Sequence, residues 1–470
     1  MSSIRPVNIG QLNVAASKTQ LKKMNSLAQV TAGRPKDLFA DIEVTENYIK
    51  IQRLIENGCP IIFVTGKAGT GKSTLIFYFQ NILKKRIAVV APTGVAALQV
   101  KGVTIHSFFH FPPKLIDSED IKKVFNRKLY SKLELLIIDE ISMVRADIID
   151  GIDEFLRTNR ANEKPFGGVQ LLLIGDLFQL PPVVNEEERK ALRAKGYLSE
   201  YFFSALTLQN VDMAPVELTK VFRQEDGEFV DLLNSIRLAE NVDHSLQEIN
   251  ARCKPDYEPE SEITLTSTND LADQKNIKEL AALPSQEYIF QGTFEGKFSL
   301  SKDRVPSPLQ LKLKVGAQVM FTKSGEHKRW VNGTLGIVKS LSSSSIRVEI
   351  VSDSPGTIYD VPKATWEKYQ YEYDADQDKI VSKVVGEYTQ YPLMLAWGIT
   401  IHKSQGKTLS KVFIDMGSGA FVPGQVYVAL SRVQFLSDIH MARPIKISEV
   451  TCDPQIKRFY QALEQMRSAR

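Results

Sequence analysis

Phe63-Val64-Thr65-Gly66-Lys67-Ala68-Gly69-Thr70-Gly71-Lys72-Ser73-Thr74 reads as a turn built to hold phosphate. Gly66 and Gly71, then Lys72 and Ser73, satisfy the phosphate-loop pattern, after the apolar run Ile61 to Val64 and before the helix-compatible Leu75 to Leu83. The glycines let the backbone curl, so that successive N–H groups and the following helix N-terminus face an anion. Gly66, Ala68, Gly69, Thr70, Gly71, Lys72, Ser73 and Thr74 are therefore the expected nucleotide contacts. Lys72 would reach the β- and γ-phosphates, and Ser73 would ligate Mg²⁺.

Upstream, Ile42, Val44, Tyr48, Ile51, Leu54 and Ile55 recur at helical spacing and lead into the first strand. Asn47 or Tyr48 either holds a nucleotide base or belongs to a plain core helix. Downstream, Arg86 to Ala91 is a short β-branched run followed by Pro92-Thr93-Gly94-Val95-Ala96-Ala97, and strand, turn and helix again imply a parallel sheet with crossovers. Gly102 to Phe109 mixes hydroxyls, an imidazole and adjacent aromatics, which suits either contact with phosphates and bases or a core position. His106 and His110 have helical metal spacing, but no third ligand is near and zinc is not expected. Residues 110–132, with Phe111-Pro112-Pro113 and five cations from Lys122 to Lys132, read as an insertion protruding from the sheet.

Leu135-Leu136-Ile137-Ile138-Asp139-Glu140 is a buried parallel strand ending in two acids. Beside a phosphate loop the first acid holds Mg²⁺ and the second polarises the attacking water, which assigns Asp139 and Glu140. Ile148, Ile149, Ile152, Phe155 and Leu156 mark an amphipathic helix. Val169 to Asp176 is a further buried strand, and Gln179 follows its carboxyl end, where open α/β sheets gather ligands; it either senses the γ-phosphate or caps the loop. From Val216 a second α/β unit begins with Leu218 to Gln224. It is interrupted over 311–388 by alternating apolar positions and glycines at turn spacing, the pattern of a small antiparallel barrel. It resumes with Leu393 to Thr408, the strand Val412 to Met416 and Val426 to Val433, and no internal sequence repeat stands out.

At 470 residues the chain suggests about three domains. With 43% hydrophobic and 24% charged residues it has ordinary globular composition, and a net charge of +4 is too small to announce a polyanion partner. Cys59, Cys253 and Cys452 are far apart and odd in number, which fits a reducing compartment. No apolar run reaches transmembrane length and no signal-peptide core opens the chain, so no membrane partner is expected. Residues 1–36 hold six cations and no acid, either a flexible basic tail or a mitochondrial address.

Together these stretches resemble the motif series of superfamily 1 helicases, in the 5′-to-3′ branch that contains RecD-like and PIF-type enzymes. The resemblance runs from about residue 42 to about 445. It is most specific at Thr104-Ile105-His106-Ser107-Phe108, Asp139-Glu140-Ile141-Ser142-Met143, Gly175-Asp176 with Gln179-Leu180-Pro181-Pro182, and Ile401-His402-Lys403-Ser404-Gln405-Gly406. The block Glu140 to Arg157 is similar to the signature that sets PIF-type enzymes apart.

The resemblance implies an α/β fold with two tandem RecA-like P-loop motors and ATP in the cleft between them. The first motor would take 42–109 and 133–215, with a wedge at 110–132; the second would take 216–310 and 389–445, with an SH3-like barrel at 311–388. A basic tail over 1–41 and a C-terminal helix over 446–470 would flank them. Lys72, Ser73, Asp139 and Glu140 match the catalytic and Mg²⁺ positions, Gln179 the sensor, and Arg223 and Arg432 the arginines offered by the second motor, with Gly406 at the nucleotide. Thr93, Gly94, His106, Ser107, Phe108, Pro181, His402, Lys403 and Ser404 would line single-stranded DNA. The implied activity is ATP-dependent 5′-to-3′ unwinding of forked or tailed duplexes, with G-quadruplexes and RNA–DNA hybrids as further substrates, by a monomer. The alternatives are a RecD-like motor subunit and a DNA-stimulated ATPase switch. Bacterial cytoplasm, or a eukaryotic nucleus or mitochondrion, would house it. The glutamine usual ahead of the family's phosphate loop is missing near residue 47, which leaves the choice of base open.

Overall fold

Strands β1 (Ile61–Gly66), β2 (Ile87–Ala91), β3 (Val103–Thr104), β4 (Leu135–Ile138), β5 (Gln170–Ile174) and β6 (Met213–Leu218) form one sheet in the order β3-β2-β4-β5-β1-β6. Every pairing in it is parallel. The chain is seen in a computed structural model that describes residues 42–468 except 126, 225, 255–256, 258, 260–261, 299–304, 326–328 and 352–355. The basic stretch over 1–41 lies outside the described residues.

A strand covered on both faces reads as a near-continuous apolar run, and β1, β4 and β5 are buried throughout, with Thr65 and Gln170 as their polar exceptions. Helices α1 (Glu46–Glu56) and α2 (Lys72–Ile82) cover one face, through Tyr48, Ile51, Ile55, Leu75, Ile76 and Phe79. Alternate residues of the same strands point into the opposite core. Of the short helices α3 (Gly94–Gln99) and α4 (Ile105–Phe109), that core takes in only α4, through Ile105, Phe108 and Phe109, and it includes the long α5 (Ala146–Arg160). The strand order sets the carboxyl ends of β1, β5 and β4 side by side, so the phosphate loop, the Gln179 loop and the acid pair are neighbours.

Residues 110–132 do not simply protrude. Phe111, Ile116, Leu129 and Tyr130 are buried in the first core, and α5 holds the segment with two interior polar groups. Asp147 accepts from the Ile116 N–H and Asn159 from the Val124 N–H, both at 2.8 Å. The many cations of the segment masked these few apolar anchors; Phe125, at its far end, is fully exposed.

The second unit opens with α6 (Gly227–Leu238) and β7 (Ile263–Thr266). A β-rich insert follows: β8 (Tyr288–Gln291), β9 (Thr293–Gly296), β10 (Gln310–Leu313), β11 (Gln318–Phe321), β12 (Leu335–Leu341), β13 (Ile346–Ile350) and β14 (Ile358–Val361). It ends with β15 (Ala364–Asp374), β16 (Lys379–Gln390) and β17 (Leu393–Leu395). The chain then returns through β18 (Gly398–Thr400), α7 (Ile401–Ser404), β19 (Val412–Asp415), α8 (Gln425–Leu430) and β20 (Ile439–Met441). The second parallel sheet has the order β18-β7-β19-β20.

Antiparallel pairing in the insert reaches beyond 311–388. A five-stranded sheet, β14-β13-β12-β11-β17, takes its last strand from after that stretch, and β9, before it, pairs with β16. Short edge strands carry too few alternations to be seen ahead of their partners. The β15–β16 hairpin runs back to the first unit, where Tyr371 Oη accepts from the Val89 N–H at 3.1 Å and Asp378 meets Arg86 at 2.8 Å.

The last helix, α9 (Pro454–Ser468), follows the second sheet in sequence but packs on the first: Ile456, Phe459 and Leu463 belong to the first core. Among the described residues no helix is long and apolar enough to cross a membrane.

Candidate functional site

Gly69 and Gly71 both adopt φ of +80°, the left-handed region where a side chain is strained, and this is what curls the loop between β1 and α2. Thr70 closes it by donating to the Lys67 carbonyl at 2.9 Å, and Tyr48 donates to the Gly71 carbonyl at 3.2 Å. Tyr48 is thus buried against the loop, beside Tyr78 and Phe79, rather than free to face a base. Lys72 donates to the carbonyls of Gly66 at 2.8 Å and Lys67 at 2.9 Å. Burial lowers its ammonium, and Asp176 and Glu140 hold it up in part. Ser73 and Thr74 are exposed at the mouth of the loop.

Asp139 and Glu140 directly follow β4, at the strand's carboxyl end. Burial pushes both carboxyls above the usual range, and for Asp139 the neighbouring Glu140 pushes further; Lys72 opposes the shift in each. Glu140 has φ of +48°, an uncommon conformation for a residue with a side chain and one that collects at functional sites.

The second unit closes on these groups. Gln405, just after α7, donates from Nε2 to Glu140 Oε2 at 3.1 Å and to Gln179 Oε1 at 3.3 Å. Tyr427 of α8 accepts from the Ala68 N–H at 3.0 Å and donates to Asp176 Oδ2 at 3.3 Å. Arg237 of α6 is ion-paired with Asp176 at 2.9 Å and stacks its guanidinium 4.2 Å from the Phe178 ring centre. Burial by itself would lower that guanidinium; Asp176, Tyr427 and Tyr460 together more than offset it. A Cβ on Gly69 would stand 2.5 Å from the Cβ of Arg223, and one on Gly424 would stand 2.4 Å from the Phe178 carbonyl. The two units therefore touch backbone to backbone.

Arg223 lies against the phosphate loop, with Nη1 donating to the Ser431 carbonyl at 3.2 Å. Arg432 is placed differently from the expectation of a side chain offered to phosphate. It is 1% exposed and donates to the carbonyls of Val428, Ser404 and Lys407 and to Ser431 Oγ, all within its own unit. Burial and the nearby Arg223 lower it to about 9. Gly406 faces Gln99 of α3, 3.2 Å from where its Cβ would be, rather than the phosphate loop.

Two of the expected strand-lining side chains are buried. Phe108 is 5% exposed, edge-on to Phe109, Tyr130 and Tyr371, because a helix as short as α4 turns both of its adjacent phenylalanines into the core. Ser404 is fully buried and donates to the Ile401 carbonyl at 2.7 Å. Ser107 and Lys403 are exposed, and His106, His402, Thr93, Gly94 and Pro181 are partly exposed.

The two units build the same small device. Thr104 caps α4 by accepting from the Ser107 N–H at 3.2 Å, and Thr400 caps α7 by accepting from the Lys403 N–H at 3.2 Å. Thr104-Ile105-His106 and Thr400-Ile401-His402 are an internal repeat of three residues. Gln405, Tyr427, Arg237 and Asp176 escaped sequence reasoning as site residues; only the positions of Asp176 and Gln405 inside motif stretches could have flagged any of them.

A family model for PIF1-like helicases matches residues 43–246. The ATP-dependent DNA helicase Pif1 of Bdellovibrio bacteriovorus is 30% identical over 433 residues, covering 90% of this chain and 93% of that protein. A structure of Bacteroides sp Pif1 in complex with ADP-AlF4 superposes with a TM-score of 0.83 at 37% identity, covering 90% of this chain and 98% of the other. Bacteroides Pif1 bound to ssDNA, 38% identical with the same coverage, gives 0.66. This chain spans 70% of the length of the Emericella nidulans helicase PIF1 and 64% of that of mouse PIF1. Sequence and architecture agree over nine-tenths of the chain, and it belongs to the PIF1-like helicase family.

Proposed function

We propose that this chain is an ATP-dependent 5′-to-3′ DNA helicase whose hydrolytic site is completed only when its two α/β units meet. One observation carries the reading: Gln405 of the second unit bridges Glu140 and Gln179 of the first. The group placed to polarise water and the group placed to sense the γ-phosphate are thus held by one side chain from across the cleft. Family membership supports the same activity.

In this reading the triphosphate takes over the bonds that Lys72 now makes to the Gly66 and Lys67 carbonyls. Glu140 orients the attacking water, and Arg223, pressed against Gly69, neutralises charge that grows on the γ-phosphate. Trans-acting arginines of this kind are worth about 10³ to 10⁵ in rate in related systems. Arg432 acts through its field at Glu140 and through the loop it holds. A hydroxyl at the start of α2 and a carboxylate just after β4 are oxygen donors of the kind a hard divalent cation takes, and Mg²⁺ held by Ser73 and Asp139 would draw charge from the phosphate oxygens.

Loss of phosphate frees the second unit to open. The paired devices, His106 and Ser107 on the first unit and His402 and Lys403 on the second, then change their separation along single-stranded DNA, with Thr93, Gly94 and Pro181 beside them. Alternating grip turns turnover into directed motion. A motor that pulls one strand acts on whatever is folded from that strand, so forks, tailed duplexes, G-quadruplexes and RNA–DNA hybrids fall within one reading. The test is ATP-dependent unwinding of two partial duplexes, one with a 5′ tail and one with a 3′ tail. Selective opening of the 5′-tailed duplex is expected; DNA-stimulated hydrolysis with neither duplex opened would leave an ATPase switch, and no stimulation by DNA would refute the proposal.

A further inference from the structure

Tyr460 lies on α9, beyond the motif series that ends near residue 445. Ile456, Phe459 and Leu463 anchor that helix in the first core, where Phe459 stacks on Phe203 at 4.5 Å and meets Phe63 at 5.7 Å and Phe202 at 5.9 Å. An apolar residue at 460 would satisfy such an interface; a phenol must place its hydroxyl. The Tyr460 hydroxyl lies 2.5 Å from Thr65 Oγ1 and its ring stacks on Phe178 at 4.9 Å, 24° from parallel.

Those two partners adjoin the two loops that do the chemistry. Thr65 is the residue before Gly66, where the phosphate loop leaves β1, and Phe178 is the residue before Gln179. The same phenylalanine carries the Arg237 guanidinium 4.2 Å from its ring centre, and Arg237 is ion-paired with Asp176. One side chain from the end of the chain therefore touches the root of the phosphate loop and the root of the sensor loop, and through Phe178 it bears on the salt bridge that joins the two units.

We propose that Tyr460 is a positioning residue for ATP hydrolysis: it fixes the spacing between the phosphate loop and the Gln179 loop, which makes α9 part of the motor's working parts. This rests on the reading of those loops as the hydrolytic site. The hydrogen bond to Thr65 sets the height of the phosphate loop over β1, and the stack on Phe178 sets where Gln179 stands beside Glu140.

The test is steady-state ATP hydrolysis by the full chain at saturating single-stranded DNA, comparing wild type with Tyr460→Phe, Tyr460→Leu, Thr65→Val and the Thr65→Val/Tyr460→Phe pair. Tyr460→Phe keeps the stack and removes one hydrogen bond, so kcat should fall by about threefold to tenfold. KM for ATP, affinity for single-stranded DNA and melting temperature should stay close to wild type. Thr65→Val should match it, and the pair should be no worse than either alone. Tyr460→Leu, which also removes the stack, should lose more. Wild-type kcat in Tyr460→Phe, a change in KM at constant kcat, or a lower melting temperature with normal kcat per folded molecule would each overturn the proposal. Absence of DNA-stimulated hydrolysis in the wild type would instead overturn the function on which it rests, and the proposal with it.

Discussion

Replacing Asp176 by Asn should loosen the whole molecule at the joint between its two units. Asp176 is fully buried and Arg237 is 6% exposed, with 2.9 Å between Oδ1 and Nη2. At an effective dielectric constant near 20, two unit charges at that separation attract by about 6 kcal/mol, and the cost of drying both ions consumes most of the gain. The neutral amide removes the attraction and leaves the guanidinium buried over Phe178, for a loss of about 3 to 5 kcal/mol. Arg237→Met strands the carboxylate in the same way, whereas the double variant buries no unpaired charge. The two changes should therefore be coupled by about 2 to 3 kcal/mol. Urea titration of the full chain measures this, read by tryptophan fluorescence, because Trp330, Trp366 and Trp397 all belong to the second unit and its insert. Single variants within 1 kcal/mol of wild type, on the order of experimental error for such titrations, or strictly additive losses would refute the reasoning.

Lys72→Ala and Glu140→Gln should each abolish DNA-stimulated ATP hydrolysis, the second with nucleotide binding retained; full turnover in either would remove the catalytic assignment. Phe108→Ala should cost about 3 to 5 kcal/mol of stability and leave affinity for single-stranded DNA per folded molecule unchanged, since the ring is core; calorimetry with a binding titration separates the two roles. Burial holds the His402 imidazole below its ordinary value of 6.5, so the ring is neutral from pH 7 upward and gains charge only as pH falls below that shifted value. The affinity lost in His402→Asn should accordingly be equal at pH 7 and pH 8 by fluorescence anisotropy, and a loss that grows toward pH 7 would show that the ring acts as a cation.

What could be read in advance was local. The phosphate loop, the acids after β4 and Gln179 after β5 are each fixed by a few neighbouring residues and by the rule that parallel sheets gather ligands at strand ends. Arg237, Tyr427 and Tyr460 were illegible because their partners are 61, 359 and 395 residues away, and nothing around them distinguishes them from core side chains. Phe108 misled for the opposite reason: an aromatic beside His106 and Ser107 suits a base, and only the rotation of α4 turns it inward. The Thr-Ile-His repeat is too short to register as a duplication until both copies are seen capping a helix. Strand β17 and β9 lay outside the expected barrel because each makes sense only through its partner.

The position of α9 also bears on how the chain is made. Phe63, Phe202 and Phe203 lie in the first half of the sequence, yet Phe459, near its end, closes over all three. Synthesis proceeds from the N-terminus, and domains generally fold as they emerge. Here the unit that leaves the ribosome first must wait with an aromatic surface uncovered until the whole second unit and its insert have followed. The first unit is thus completed only after the second has been made, and a chain cut before residue 454 leaves Phe63, Phe202 and Phe203 without that cover.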